Sequence, residues 1–427
     1  MGNGMERSDR FIFWLIIIQP IIDLITSLSN QFNILTIGAL SRSLIMGVLF
    51  VYIAAYFIRR QRKMLWLFVG SFAAILITFV INFLLKENYF LFQEVNFALK
   101  TSYYLTMIFL AILLIKRNKI SKTLLYQATK VISLIVGTSY WLAIVTHSSI
   151  QSYSYDSVGY SGWFFAANEL SVIVIILLGL SVSNLLFDKT FTAWLAFIFI
   201  VSMLPMIGTK TAFFGGLFIL GLSVISWLLQ CNFKIWQNKS MLFMLVIVVL
   251  LFCFIPFSPI ASNTAQIGAQ TNQAPEQDVI PTTENEGSVF MRKLLSSRNI
   301  YFQNTIADYE AANGLRKAFG LGYAGDYKQE PKLIEMDFFD LFFSYGIIGI
   351  FCLIAPLLYL VKQVLSAILP INIEKMTLFI TLGICFGIAF LAGHVLFAPS
   401  VMTYTAILFV TLGVGKYDNG EHHRTRV

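Results

Sequence analysis

WFFAANELSVIVIILLGLSVSNLL, residues 163–186, holds twenty-four residues and one ionisable side chain, Glu169. At 1.5 Å of rise per residue such a helix is roughly 36 Å long, enough to cross a hydrocarbon core of about 30 Å. Comparable runs recur along the chain, and spans are expected near 11–28, 36–58, 64–85, 95–115, 123–146, 163–186, 191–207, 211–230, 240–257, 337–361, 376–396 and 399–415. The composition agrees, with 57% hydrophobic and 12% charged residues in 427 and a mean hydropathy of +0.76. A chain of this length cannot cover so much apolar surface in water, which excludes a soluble domain. The expected fold is an all-α polytopic membrane protein of about 12 transmembrane helices.

The first ten residues lead into an apolar run with no small-residue cleavage site, so the first span is expected to stay in the mature protein. Residues 1–257 are read as transmembrane helices one to nine, 258–336 as a large extracytoplasmic loop, 337–415 as helices ten to twelve and 416–427 as a cytoplasmic tail. Orientation follows from Lys and Arg in short loops, which are retained on the cytoplasmic side. Even-numbered turns hold Arg59-Arg60-Gln61-Arg62-Lys63, Lys116-Arg117-Asn118-Lys119, Lys189, Lys234 with Lys239, and Lys362 with Lys375. The segments 29–35, 147–162 and 397–400 have no basic residue. Both termini are therefore expected on the cytoplasmic side of the cell membrane. This asymmetry accounts for most of the net charge of +8 without nucleic acid as a partner. His422 and His423 sit together in the tail without a third ligand at metal-site spacing, and no metal site is expected. Cys253, Cys352 and Cys385 fall inside spans and Cys231 in a short loop, so the long loop carries no disulfide.

Ionisable residues inside apolar runs are costly and need a partner, a cavity or a role. Asp23, Arg42, Lys100, Glu169, Lys210 and His394 are all expected at or just below the outer surface. Taken singly, each could pair with a neighbour or reach the interface with its charged end. Taken together they predict a cation-rich polar cavity open to the outer face, suited to phosphate or pyrophosphate. In the long loop, residues 258–281 are rich in Asn, Gln, Thr, Ala and Pro, as in a flexible surface segment. Its second half carries apolar residues at helical spacing with Arg298 among them, which predicts an amphipathic helix near 288–312 over the cavity or on the membrane surface. Gly320-Leu321-Gly322-Tyr323-Ala324-Gly325 could bring backbone amides close to a ligand. Glu335, Asp337 and Asp340 then stand at the mouth of span ten, where each could either accept a proton or cap a helix.

This arrangement resembles the O-antigen polymerase and O-antigen ligase family of bacterial membrane glycosyltransferases, in its Gram-positive capsule and exopolysaccharide branch. The resemblance rests on the order of short stretches: Gln19-Pro20-Ile21-Ile22-Asp23, Asn168-Glu169-Leu170, Gly208-Thr209-Lys210-Thr211, Arg298, and Gly320-Leu321-Gly322-Tyr323 leading to Ser344-Tyr345-Gly346-Ile347-Ile348-Gly349. It implies a GT-C-like membrane enzyme that transfers a glycan from a polyprenyl-pyrophosphate donor to a glycan acceptor with inversion, using no metal and no other cofactor. The partners it implies are that donor and acceptor, membrane lipids, and a flippase and chain-length regulator of the same pathway. Many members have Arg where this chain has Lys210, and a His-Asn pair where this chain has Glu335 to Asp337. On this reading Arg298 and Lys210, with Arg42, Lys100 or Arg316, hold the pyrophosphate, and Glu335 or Asp337 takes the acceptor proton. Asp23, Glu169 and His394 complete the expected substrate site. A secondary transporter or lipid-linked-oligosaccharide flippase is the rival class, but it would favour midplane charges and repeated halves, and the sequence has neither. A peptidoglycan-type polymerase would keep the chemistry and differ in the sugar.

Overall fold

The computed structural model describes residues 7–31, 37–152, 158–230, 239–263, 298–326, 332–393 and 395–415. His394, residues 288–297, residues 264–281 of the polar stretch, Cys231 and the tail lie outside them. The described chain is helical apart from loops and a two-stranded hairpin, in which Ile150–Gln151 pairs antiparallel with Tyr160–Gly162. The helices are α1 Arg7–Ile17, α2 Gln19–Gln31, α3 Ile37–Arg60, α4 Arg62–Leu85, α5 Leu91–Arg117, α6 Lys122–Val145, α7 Ala167–Asn184 and α8 Phe191–Met206. They continue with α9 Lys210–Gln230, α10 Lys239–Phe254, α11 Arg298–Ala311, α12 Gly314–Phe319, α13 Asp337–Ile368, α14 Ile373–Leu391 and α15 Pro399–Gly413. Among the described residues nine stretches are long and apolar enough to cross a membrane, and Phe191–Met206, Leu242–Phe257 and Pro399–Gly413 are shorter apolar helices. The chain is an all-α polytopic membrane protein.

The apolar face of each helix decides its place. The span of α7 is 89% buried and that of α3 only 17%, so α7 lies at the centre and α3 at the rim. Helix α15 packs against α5, α7, α13 and α14 and is buried almost throughout. Leu44, Val51, Trp66, Leu76 and Phe92 on α3, α4 and α5 point outward into what would be lipid.

The first span is two helices rather than one, and Pro20 supplies the reason. Proline has no N–H to give to the preceding turn. The wholly buried Gln19 side chain donates to the Leu15 carbonyl at 3.1 Å, one turn back. The second half of that span then meets α3 where Gly38 faces Thr26, so closely that a Cβ at Gly38 would collide with the threonine hydroxyl.

Helix α13 is interrupted at Gly346, whose φ of 65° and ψ of −173° take the chain out of the helix. The break leaves carbonyls of the preceding turn without helical donors. The Gly-rich segment after α12 fills this gap: Leu321 N donates to Phe343 O at 2.8 Å and Gly322 N to Ser344 O at 3.1 Å. Gly320, at φ 92°, packs directly on the Ser344 carbonyl, and a Cβ on Gly346 would lie 2.5 Å from Gly320 N. Both positions therefore require glycine. Thr78 Oγ1 donates to Phe319 O at 2.7 Å and Asn82 Nδ2 to Gly320 O at 3.2 Å, fastening the segment to α4.

Gly320→Ala or Gly346→Ala should destabilise the protein by about 3 kcal/mol, through strain and displaced backbone bonds. Gly221→Ala, at a position with open space around it, should change stability by less than about 1 kcal/mol. Thermal unfolding in detergent, followed by dye labelling of the buried Cys385, measures both.

Candidate functional site

Two polar hollows meet at the end of the bundle that carries residues 86–90, 146–152, 158–166 and 332–336. The larger, of about 340 Å³, lies between α2, α3, α5 and the start of α7. The close approach at Gly38 brings Asp23 and Arg42 together as a hydrogen-bonded ion pair. Lys100 and Asn96, one turn apart on α5, form the opposite wall with Glu169, whose carboxylate accepts from the Ser400 hydroxyl at the start of α15. Lys100 is exposed and carries no ion pair among the described residues. Asp23 Oδ2, Ser27 Oγ and Arg42 Nε are buried here with no hydrogen-bond partner among the described residues.

The smaller hollow, of about 210 Å³, shares Asn96, Lys100 and Glu169 with the first and ends at Glu335, Asp337 and Asp340. The three carboxylates are not equivalent. Asp340 accepts from Ile334 N at 2.9 Å and Met336 N at 3.1 Å, which fixes the chain before α13. Asp337 Oδ2 accepts from Val395 N at 2.9 Å and Leu396 N at 2.8 Å, tying α13 to the loop that leads into α15. Both are buried, whereas the Glu335 side chain is 35% exposed. Glu335 has a φ of 65°, a left-handed conformation uncommon outside glycine. Arg298 Nη2, at the start of α11, lies 3.5 Å from Glu335 Oε2 and donates to Ala392 O at 3.4 Å. Helix α11 docks through Phe302 and Tyr309 onto Phe339, Phe342 and Phe343 of α13, so it packs on the bundle beside this hollow. Burial raises the pKa of the Tyr323 hydroxyl, with the carboxylates of Asp340, Glu94 and Glu335 adding to the effect.

The structure thus brings together Asp23, Arg42, Lys100, Glu169, Glu335, Asp337 and, through Glu335, Arg298. It does not do so for Lys210 or Arg316. Lys210 is exposed at the start of α9 and lines neither hollow. Its turn is a backbone device: Asn263 Nδ2 donates to Gly208 O at 3.1 Å, and Thr209 Oγ1 lies 2.6 Å from Ser171 Oγ. Arg316 is buried in a two-point pair with Asp326 at 2.8 Å on both oxygens and also donates to Leu321 O, so it braces the Gly-rich segment. The amides of Gly320, Leu321 and Gly322 bond to carbonyls and that of Tyr323 to Glu94, instead of facing a ligand. Nor is the cavity rich in cations, because Arg42 faces Asp23 and Arg298 faces Glu335. Ser27 and Asn96 were missed, although each lies one helical turn from a residue already singled out, which places it on the same face. Lys332, whose Nζ sits 4.9 Å from the Tyr301 ring centre beside the smaller hollow, had no signal beyond its nearness to Glu335.

A bundle of apolar helices with a two-part polar hollow at one end, lined by ion pairs and carboxylates, defines a polytopic membrane protein with a polar site. The model of the family described as O-antigen ligase like membrane protein matches residues 5–415, and the chain belongs to that family. Membership gives it a role of the membrane ligase or polymerase type. No curated protein matches the sequence.

A second buried pair holds the hollow's floor. Lys86 Nζ lies 2.8 Å from Glu94 Oε1 and donates to Tyr323 O at 2.7 Å, while Glu94 Oε2 accepts from Tyr323 N at 2.9 Å. Burial lowers the pKa of Lys86 and the Glu94 charge opposes that shift. Glu94→Ala leaves a buried ammonium and an orphaned amide, and should cost about 3–5 kcal/mol. Replacing both partners, as in Lys86→Met with Glu94→Gln, should cost less than Glu94→Ala alone. Comparing unfolding midpoints of the two variants tests this.

Proposed function

We propose that the protein is an inverting, metal-independent glycosyltransferase that polymerises or ligates polyprenyl-pyrophosphate-linked oligosaccharide units. The site lies on the outer face of the cytoplasmic membrane, and the product is a capsular or exopolysaccharide chain. The observation that carries this reading is the meeting of Glu335 and Arg298 at one end of a hollow whose shared wall holds the exposed Lys100.

The acceptor hydroxyl attacks the anomeric carbon, its proton passes to Glu335, and the anomeric C–O bond breaks to release the polyprenyl pyrophosphate. A single displacement of this kind inverts the anomeric centre. Glu335 is the carboxylate suited to the proton because it is the most open of the three, whereas Asp337 and Asp340 position backbone. Arg298 and Lys100 offset the negative charge that develops on the leaving pyrophosphate. Fixed cations in a water-poor site act strongly on such charge, with several kcal/mol available from electrostatic stabilisation. Family membership and the two-part hollow support the reading.

Purified protein in liposomes, given a polyprenyl-pyrophosphate-linked repeat unit and a metal chelator, should build a ladder of longer glycans. Glu335→Gln should slow the ladder by about 100-fold or more, as expected for loss of a general base. Arg298→Ala should act similarly with the protein still folded in the membrane. Wild-type protein that moves the lipid-linked glycan across the bilayer without lengthening it would overturn the proposal in favour of a transporter.

A further inference from the structure

We infer that the end of the bundle away from the hollows binds an anionic phospholipid of the surrounding membrane, its headgroup held by Arg59, Arg60, Arg62, Lys63 and Lys362. Arg59 and Arg60 end α3, Arg62 and Lys63 open α4 one residue later, and all four are exposed. Lys362, also exposed, stands level with them on α13. Ser71 Oγ donates to Cys352 O at 2.7 Å, and equal counts along these antiparallel helices from that contact arrive at Arg62 and Val361. Helix α5 locks the parts together. Lys116 at its end donates to Gln61 Oε1 at 2.6 Å, and the same Nζ lies 4.9 Å from the ring centre of Tyr359, one turn before Lys362. Arg117 donates to the Tyr52 hydroxyl of α3. The fold therefore assembles cations from two distant parts of the chain at one place.

Loops retained on one side of a membrane are commonly basic, but other cations at this end are taken up by the fold itself. Lys122 lies 2.9 Å from Glu374 Oε1 and Lys130 2.7 Å from Asp188 Oδ2, while Lys375 donates to the Ala367 and Ile368 carbonyls. The five residues of the cluster have no carboxylate partner among the described residues. Helices α3 and α4 contain no Asp or Glu, and those of α5 and α13, Glu94, Asp337 and Asp340, lie at the opposite end. Like charges held together repel, and a bound anion offsets this. Guanidinium forks match phosphate oxygens, which makes a phosphate-bearing headgroup the fitting anion. The neighbouring surface selects a lipid over a soluble phosphate. Arg62, Trp66 and Val69 fall on one stripe of α4, and Trp66 is 75% exposed. On α3, Ile58 and Val51 form a similar outward stripe below Arg59. Cation, indole and aliphatic surface follow one another as headgroup, interface and acyl chain do.

The test takes the full chain into detergent from vesicles of equal phosphatidylglycerol and phosphatidylcholine with matched acyl chains, and measures the retained phospholipid by mass spectrometry. Wild-type protein should retain phosphatidylglycerol preferentially, and a high-salt wash should abolish the preference. Arg59→Gln with Arg62→Gln should lower it about tenfold or more, because each cation at a membrane surface is worth roughly fivefold. Lys362→Gln should lower it about fivefold, although it is remote in sequence from the α3–α4 turn, and it decides the matter where the doubly substituted chain fails to insert. Lys189→Gln, an exposed lysine in the α7–α8 turn at the same end, should leave the preference unchanged. Inorganic phosphate should not displace the lipid. The inference is overturned by wild-type protein that retains both lipids equally or holds its preference in high salt. It is overturned equally by a preference that survives Lys362→Gln, or by displacement with inorganic phosphate, which would assign the cluster to a soluble anion.

Discussion

Backbone carbonyls inside hydrocarbon have no water to turn to, and the tenth apolar stretch stops being a helix at Gly346. Most of the functional end of the molecule follows from how that break is repaired. The amides of Leu321 and Gly322 satisfy the Phe343 and Ser344 carbonyls, so a loop from outside the bundle is drawn down into it. Only glycine allows the two backbones to approach this closely, at Gly320 on one side and Gly346 on the other. Tyr323 is then delivered to the floor of the smaller hollow, where its own backbone groups meet Lys86 and Glu94.

The charged side chains obey the same constraint. A buried ion pair stabilises little by itself, because desolvation offsets most of the attraction, but removing one partner is expensive. Such pairs act as fasteners, and they occur at both ends of the bundle. At the end away from the hollows, Lys122 Nζ lies 2.9 Å from Glu374 Oε1, which also accepts from the Tyr126 hydroxyl at 2.7 Å, joining α6 to α14. At the other end Lys86 with Glu94 and Arg316 with Asp326 hold the Gly-rich segment. Asp23 with Arg42 differs from these in its place, because both residues line the larger hollow.

How much of this was legible in the sequence depended on the range of the interaction. Helix positions follow from local apolar runs, and the twelve expected spans correspond to apolar helices with small shifts at their ends. The convergence of Asp23, Arg42, Lys100 and Glu169 was also legible, since charges in apolar runs must find one another. The partners of those charges were less so. Asp326 lies in a loop with no periodicity to mark it, and nothing in the order of residues says that it claims Arg316. The Gly-rich segment misled for the same reason: close backbone approach was read correctly, but its target was another backbone and not a ligand. The hairpin of Ile150–Gln151 with Tyr160–Gly162 is too short to leave a pattern.

The placing of Glu335 shows how fold and chemistry join. A left-handed conformation costs a non-glycine residue roughly 1–2 kcal/mol, and the chain does not adopt it unaided. Asp340 bonds the amides on both sides, at Ile334 and Met336, and Gly393 is close enough to the Glu335 carbonyl that a Cβ there would lie 2.6 Å away. A hydrogen bond contributes about 0.5–1.5 kcal/mol net, so the two accepted by Asp340 are of the size of the strain. The result is that Glu335 is turned away from the line of α13, with its side chain at the hollow beside Arg298. Three carboxylates within six residues therefore divide their work by environment: two are held by backbone amides and act on structure, and the third, held in place by one of them, is left facing the cavity.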